Sequence, residues 1–324
     1  MLTQNALPEA LVRRFADDFH RLSTAEPQDR IGIAVSGGPD SMALLLLAAA
    51  AFPGRIEAAT VDHKLRDRSS DEAMFVADLC TSLCAGRSIP HAILTLDGLP
   101  RGNVSAAARV ARYAALDGWA DARGIDWILT AHHADDQVET VIMRLNRGAG
   151  VAGLSGVRAR HGRVVRPLLG WRRSELVGLC ADAGIMPVDD PTNRDNRYDR
   201  ARLRRSLASA DWINPLAVVE SAGVLADADA AIEWVVDALE ARHVTHQGDV
   251  SFDRHVTDCP NEILRRLVLR CLRHVDPECA PRGVPLSRLV VTLESGGTST
   301  IGAVIARGGP KWVFRRAPTR RPTG

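Results

Sequence analysis

Chemistry in this chain starts with Ser36-Gly37-Gly38-Pro39-Asp40-Ser41, which follows the apolar run Ile31–Val35 and opens an apolar stretch from Met42. A strand, two glycines and a helix N-terminus make an anion cradle, because backbone N–H groups point outward and the helix dipole favours negative charge. Glycine at 37 and 38 permits a close backbone approach that a Cβ would block. Pro39 removes a donor that a first helical turn cannot use. No G-x-x-x-x-G-K-S pattern is present at the loop, so no lysine is brought to a terminal phosphate. Asp40 has two readings, a carboxylate near a phosphate-bound Mg²⁺ or a cap on the helix.

A second group lies in Thr130-Ala131-His132-His133-Ala134-Asp135-Asp136-Gln137-Val138-Glu139. His132 falls at the carboxyl end of an apolar run, where doubly wound sheets gather their ligands. An imidazole there can donate to a phosphate or carry a proton. Consecutive histidines on a turn point apart and no third ligand is evident, so the pair is not read as a metal centre. Asp136 falls in the first turn of the next helix, Glu139 shares its face, and Asp135 points elsewhere. Arg109 and Arg112, spaced i,i+3, can neutralise phosphoryl oxygens as they gain charge, with Arg112 the better candidate. Arg200 and Arg204, spaced i,i+4, make another cationic face, able to reach a nucleotide or a polynucleotide backbone.

These residues need a scaffold that brings strand ends together. Ile31–Val35, Ile56–Asp62, Ala92–Leu96 and Trp127–Ala131 read as strands, and Met42–Ala51, Ser70–Arg87, Ser105–Arg123 and Asp135–Arg147 as helices. The rhythm predicts an α/β fold, a parallel sheet with helices on both faces. Asp71 and Glu72 suit one helix N-terminus, and Asn103 or Ser105 can cap the next. Beyond Asp189-Asp190-Pro191 the pattern turns helical over 197–245, with a break at Asn214-Pro215, and again over 261–274. Thr298–Arg316 reads as a β-hairpin around Gly308-Gly309-Pro310. The expected division is a catalytic domain at 1–205 and a smaller, mainly helical domain with a terminal hairpin at 206–324.

The formal charge of +2 conceals segregation: residues 1–143 carry −6, 144–205 carry +8, 206–262 carry −9 and 263–324 carry +9. Two basic blocks around an acidic one point to a polyanion held at two places. The preference for arginine (39 Arg, 2 Lys) is a matter of composition, but its clustering is not. No apolar run approaches the ~18 residues that span a bilayer, and no signal peptide is apparent, so a cytoplasmic protein without membrane contact is expected. Cys80, Cys84, Cys180, Cys259, Cys271 and Cys279 form no C-x-x-C pair and read as structural thiols.

The phosphate loop resembles the S-G-G-x-D-S signature of PP-loop ATP pyrophosphatases. Further motifs follow in order: Val61-Asp62-His63-Lys64-Leu65-Arg66, Ala108-Arg109-Val110-Ala111-Arg112-Tyr113, the His132–Thr140 segment, Arg147-Gly148-Ala149-Gly150, Arg166-Pro167-Leu168, Asp190-Pro191-Thr192-Asn193 and Arg200-Ala201-Arg202-Leu203-Arg204. From the loop to about Leu207 the set resembles the tRNA(Ile)-lysidine synthetase family. Ser105 and Ala201 depart from that family's pattern, where Glu and Asn are usual.

The resemblance implies ATP, with Mg²⁺, activating carbon 2 of the wobble cytidine of tRNA(Ile) with a CAU anticodon. Free L-lysine then displaces AMP, so that the tRNA reads AUA in place of AUG. It implies that Ser36, Gly37, Gly38, Pro39, Asp40 and Ser41 hold the departing pyrophosphate and that Asp136 receives the lysine ammonium. Asp40, Arg112, His132, Asp136, Arg200 and Arg204 are the implied catalytic set. A homodimer is left open as an assembly. Two rivals are a PP-loop tRNA thiolase, which would carry sulfur on cysteines, and an ATP-sensing module without chemistry, which would leave His132, Asp136 and Arg112 surplus.

Overall fold

A computed structural model describes residues 7–62, 69–82, 88–96, 104–186, 199–246, 248–281 and 283–318, with backbone alone at 69–73, 82, 104–106, 199 and 254. The elements in chain order are α1 (Glu9–Leu22), β1 (Ile31–Ala34), α2 (Pro39–Ala51), β2 (Ile56–Asp62), α3 (Ser69–Ser82), β3 (His91–Thr95), α4 (Val104–Arg123) and β4 (Trp127–Leu129). Next come α5 (Ala134–Leu145), α6 (Val151–Leu154), β5 (Arg160–His161), β6 (Val164–Val165), α7 (Arg173–Asp182), α8 (Asp199–Ala208) and α9 (Pro215–His243). The chain ends with β7 (Val250–Asp253), α10 (Asn261–Val275), α11 (Val284–Glu294), β8 (Thr298–Ile301), β9 (Val304–Arg307) and β10 (Lys311–Arg316). Two compact units, Met1–Ala226 and Asp227–Gly324, divide within α9.

In the first unit six strands run in the order β3-β2-β1-β4-β6-β5, all parallel except β5. The chain moves outward from β1 to β2 and β3, then returns to place β4 on the other side of β1. That reversal opens a crevice at the carboxyl ends of β1 and β4, the usual ligand position in such sheets. The phosphate loop leaves β1 there, and His132 leaves β4.

Alternation in the strands feeds two cores. Ile31, Ile33, Trp127 and Leu129 enter the larger one with α1, α2 and α7, while Ile128 enters the smaller with Leu116, Trp119 and Ala120 of α4. Gly32 faces α4, and a Cβ there would sit 2.7 Å from the Trp119 ring. Helix α2 is buried from Ser41 to Ala48, which is why its sequence is apolar all round. Helix α1, not anticipated from the sequence, buries Phe15 and Phe19 one turn apart, with Phe19 edge-on to Phe52 at 5.1 Å. Each such burial contributes on the order of 1.5–3 kcal/mol. Asn103, Asp190-Pro191-Thr192-Asn193, Cys84 and the stretch His63–Arg66 fall outside the described residues, as do the side chains of Asp71, Glu72 and Ser105.

The second unit is richer in strand than its sequence suggests. The expected hairpin is β9–β10, and β7 and β8 extend it to a four-stranded antiparallel sheet, β7-β10-β9-β8. Leu264, Leu267, Val268, Cys271 and Leu272 of α10 pack against Phe252, Trp312 and Phe314 of that sheet. Among the described residues no helix is long and apolar enough to cross a membrane.

Candidate active site

The phosphate loop is held open by its two serines. The Ser41 hydroxyl donates to the Gly38 carbonyl at 3.0 Å and accepts the Ser36 N–H at 3.0 Å, and the two hydroxyls lie 3.2 Å apart. Gly37 has φ of 81°, a left-handed conformation that suits glycine. Gly38 caps α2 and Pro39 occupies its first turn. Among the described residues the Asp40 carboxylate makes no capping hydrogen bond, and its buried Oδ1 has no hydrogen-bond partner. Of the two sequence readings of Asp40, the cap is therefore not what the structure shows.

Around the start of α5 the structure gathers carboxylates about His133, which is 1% exposed. Its Nε2 lies 3.5 Å from Asp40 Oδ2 and 3.4 Å from Asp136 Oδ2, and its Nδ1 lies 3.7 Å from Asp135 Oδ2. His133 also caps α5 reciprocally, Nδ1 accepting the Asp136 N–H at 3.4 Å and Asp136 Oδ2 accepting the His133 N–H at 3.3 Å. An imidazole thus replaces the usual hydroxyl of a capping box. Burial acts to lower the His133 pKa, but the Asp40 contact and the charges of Asp136, Asp40 and Asp135 prevail and raise it. Protonation would forfeit the Nδ1 cap bond, yet that bond is long, and three carboxylates outweigh it.

His132 has the opposite surroundings. Its Nδ1 lies 3.1 Å from the Thr130 hydroxyl. Desolvation first, then the charges of Arg166, Arg112, Arg109 and Arg200, hold it well below the ordinary imidazole range. Arg112 and Arg109 stack on Tyr113 at 5.4 and 5.1 Å, and Arg166 donates to the Tyr113 hydroxyl at 3.1 Å. Among the described residues no carboxylate pairs with Arg109, Arg112 or Arg166, which leaves net positive charge beside a neutral imidazole.

Arg200 and Arg204 reach across to α5. Arg200 bonds Asp136 at 2.7 Å and Glu139 at 2.6 Å, and Arg204 bonds Glu139 at 2.5 Å. Spacing left these arginines a choice between nucleotide and tRNA; in the structure they hold the two carboxylates one turn apart. Glu139 is 3% exposed. Burial acts to raise its pKa, but the bonds from Arg204 and Arg200 hold it below the ordinary range. Asp135 turns the other way, bonding Arg172 at 3.2 Å and the Arg173 N–H at 2.8 Å, so it docks α7 onto α5. A cavity of about 210 Å³ lies alongside, lined by Val138, Glu139, Arg172, Arg173, Arg204 and Leu207, among others.

The sequence had assigned no role to three members of this site: Arg166, His133 as the hub of the carboxylates, and the Asp135–Arg172 latch. For Arg166 a signal existed. It stands alone between Val164-Val165 and Pro167-Leu168-Leu169, and a charge inside an apolar run is buried and therefore partnered. It is 5% exposed and donates to the Arg158 carbonyl at 2.7 Å.

Cysteine chemistry is absent from this centre among the described residues. Cys180 comes nearest, its thiol donating to the Pro39 carbonyl at 3.3 Å, and burial pushes its pKa up to about 11. A thiol so raised is a poor nucleophile.

A PP-loop domain profile matches residues 11–210. A tRNA(Ile)-lysidine synthase of Novosphingobium aromaticivorans is 44% identical over 317 residues, covering 95% of this chain and 94% of that protein. One from Zymomonas mobilis is 40% identical, covering 97% and 96%. Among solved structures, the U34-tRNA thiolase NcsA of Methanococcus maripaludis, with its [4Fe-4S] cluster, aligns with a TM-score of 0.53 at 15% identity, over 67% of this chain and 80% of that one. That likeness concerns the fold alone.

Proposed function

The chain belongs to the tRNA(Ile)-lysidine synthase family of ATP-dependent ligases, and from that premise we propose how its own residues divide the reaction. The reading is adenylation of carbon 2 of the wobble cytidine in tRNA(Ile) with a CAU anticodon, then displacement of AMP by free L-lysine. The observation that carries it is the crevice between β1 and β4, where a phosphate loop has on one side arginines with no carboxylate partner among the described residues, and on the other paired carboxylates.

Ser36, Gly37, Gly38, Pro39, Asp40 and Ser41 cradle the phosphates that leave as pyrophosphate, through backbone N–H groups and the N-terminus of α2. Arg112 and Arg166 stabilise the α-phosphate as it gains charge. His132, kept neutral, can donate one hydrogen bond and accept a proton as the amine attacks. Mg²⁺ fits the chemistry of this donor set. It prefers hard oxygen ligands, and Asp40 Oδ1 is a buried carboxylate oxygen with no hydrogen-bond partner among the described residues. Asp40 would hold it, directly or through water, and when bound it would neutralise the leaving phosphates.

Lysine is assigned to the neighbouring cavity. Val138 and Leu207 offer apolar contact for its stem, Arg172 and Arg173 charge for its carboxylate, and Glu139 with Asp136 a carboxylate pair for its ammonium. The ammonium must then share that pair with Arg200 and Arg204. The tRNA is held by the catalytic portion, 1–205, and by the basic block within 206–324, and such a substrate is met in the cytoplasm. Nucleoside analysis after incubating ATP, labelled lysine and an unmodified tRNA(Ile) transcript tests the reading. Label is expected at the wobble cytidine, and a transcript with uridine there should take none.

A further inference from the structure

Helices α9 and α10 are joined by a ladder of charges. Arg266 bonds Asp229, Glu233 and Glu262, and Arg270, one turn on, bonds Glu233, Asp237 and Glu240. The next rung on α10 breaks the rule. Position 274 is histidine in a chain with 39 arginines, and opposite it stands another histidine, His246, from the segment after α9. Their rings lie 4.0 Å apart at 37°. Glu240 completes the group. Arg270 fixes its Oε2 at 2.8 Å, while Oε1 lies 3.8 Å from His246 Nε2.

We propose that Glu240, His246 and His274 form a binding site for a divalent metal of the zinc class. One ligating atom from each lies within 4.8 Å of the other two, the single such group among the described residues. A tetrahedral ion with bonds of about 2.0–2.2 Å brings its ligand atoms to roughly 3.3–3.6 Å of one another. The required closure is therefore about 1 Å, and His246 and His274 are exposed side chains free to rotate. Two imidazoles and a carboxylate suit zinc better than the hard cations Mg²⁺ or Ca²⁺, which take oxygen ligands. Arg270 acts on Glu240 as outer-shell partners act in metal sites, orienting the carboxylate and leaving one oxygen for the ion. A merely electrostatic ladder would be served by a third arginine; imidazole differs in carrying a lone pair. Bound metal would tie the segment after α9 to the end of α10, with a water in the fourth position.

The test uses the full chain in excess Mg²⁺, which fills hard-oxygen sites, with Zn²⁺ as the probe in calorimetry and Co²⁺ as its spectroscopic substitute. The parent should take one Zn²⁺ more than the His246→Gln/His274→Gln double variant. It alone should give the intense visible bands of four-coordinate cobalt, and its melting temperature should rise with Zn²⁺. His274→Gln alone should weaken binding at least tenfold, since even outer-shell losses cost about 10–100-fold. Both substitutions are at exposed positions, and metal-free melting of the variants checks that they fold. Equal stoichiometry and equal cobalt spectra in parent and double variant would overturn the proposal, as would the absence of binding in the parent.

Discussion

His132 and His133 are adjacent in sequence and face opposite electrostatic surroundings. His132 lies among Arg166, Arg112, Arg109 and Arg200 and is pushed down, whereas His133 lies within 3.7 Å of Asp40, Asp135 and Asp136 and is pushed up. The turn between β4 and α5 thus separates a cationic half of the crevice, suited to phosphate, from an anionic half, suited to a cation.

A pH dependence follows for His132. Its pKa is lower folded than unfolded, so between the two values the unfolded chain holds a proton that the folded chain lacks. Stability from this group is then full above about pH 6.5 and declines as pH falls below it. Against His132→Asn, the parent should lose melting temperature on acidification through that range. Any catalytic limb due to His132 should lie well below pH 6.5. A limb near 6.5 that vanishes in His132→Asn would contradict the assignment.

The halves of the reaction should separate by mutation. Asp136→Asn should still adenylate the tRNA while lysine incorporation falls and lysine KM rises. Arg112→Ala should depress adenylation itself by about 10²–10³-fold, as expected for a lost donor to developing charge. Single-turnover assays with and without lysine distinguish these outcomes, and an unchanged lysine KM in Asp136→Asn would leave the ammonium to Glu139 alone.

Gly32 should tolerate no side chain. A Cβ would meet the outer ring of Trp119 at 2.7 Å, and Gly32→Ala should cost about 1–3 kcal/mol of overpacking. Trp119→Phe removes the atoms that collide. In denaturant titrations the double variant should therefore be less destabilised than the two singles summed. Strict additivity would place the strain elsewhere.

Much of this crevice was legible in the sequence because its parts are local. A loop between a strand and a helix carries its own glycines, and a histidine at a strand end follows from hydrophobic runs. The elements β1 to β4 and α2 to α5 lie within a few residues of their expected bounds for the same reason, save that the expected end of α3 at Arg87 lies outside the described residues. What escaped was set by distant packing. Strands β5 and β6 are two residues each, too short for any period to register. Helix α1 is a different case, since Leu11, Phe15, Phe19 and Leu22 recur at helical spacing and all meet the core, a stripe that was legible in the sequence. The Asp136–Arg200 and Glu139–Arg204 pairs join positions more than sixty residues apart, which helical spacing cannot link.

Charge on the second unit should matter for tRNA. Arg315 and Arg316 are exposed at the end of β10, so reversal to Glu should leave melting unchanged. Binding should weaken, and its dependence on salt should become shallower by about one unit of log–log slope for each phosphate no longer neutralised. An unaltered affinity and slope would show that neither arginine meets a phosphate of the tRNA.

An adenylating ligase that joins lysine to tRNA must release AMP and pyrophosphate in step with the lysine it transfers. AMP, pyrophosphate and tRNA-bound lysine should be measured together in one reaction containing ATP, lysine and unmodified tRNA(Ile). Equal amounts of all three are expected, with no ADP, and all three should be lost in Arg112→Ala. Stoichiometric ADP and phosphate, or AMP and pyrophosphate without lysine in the tRNA, would contradict that reaction.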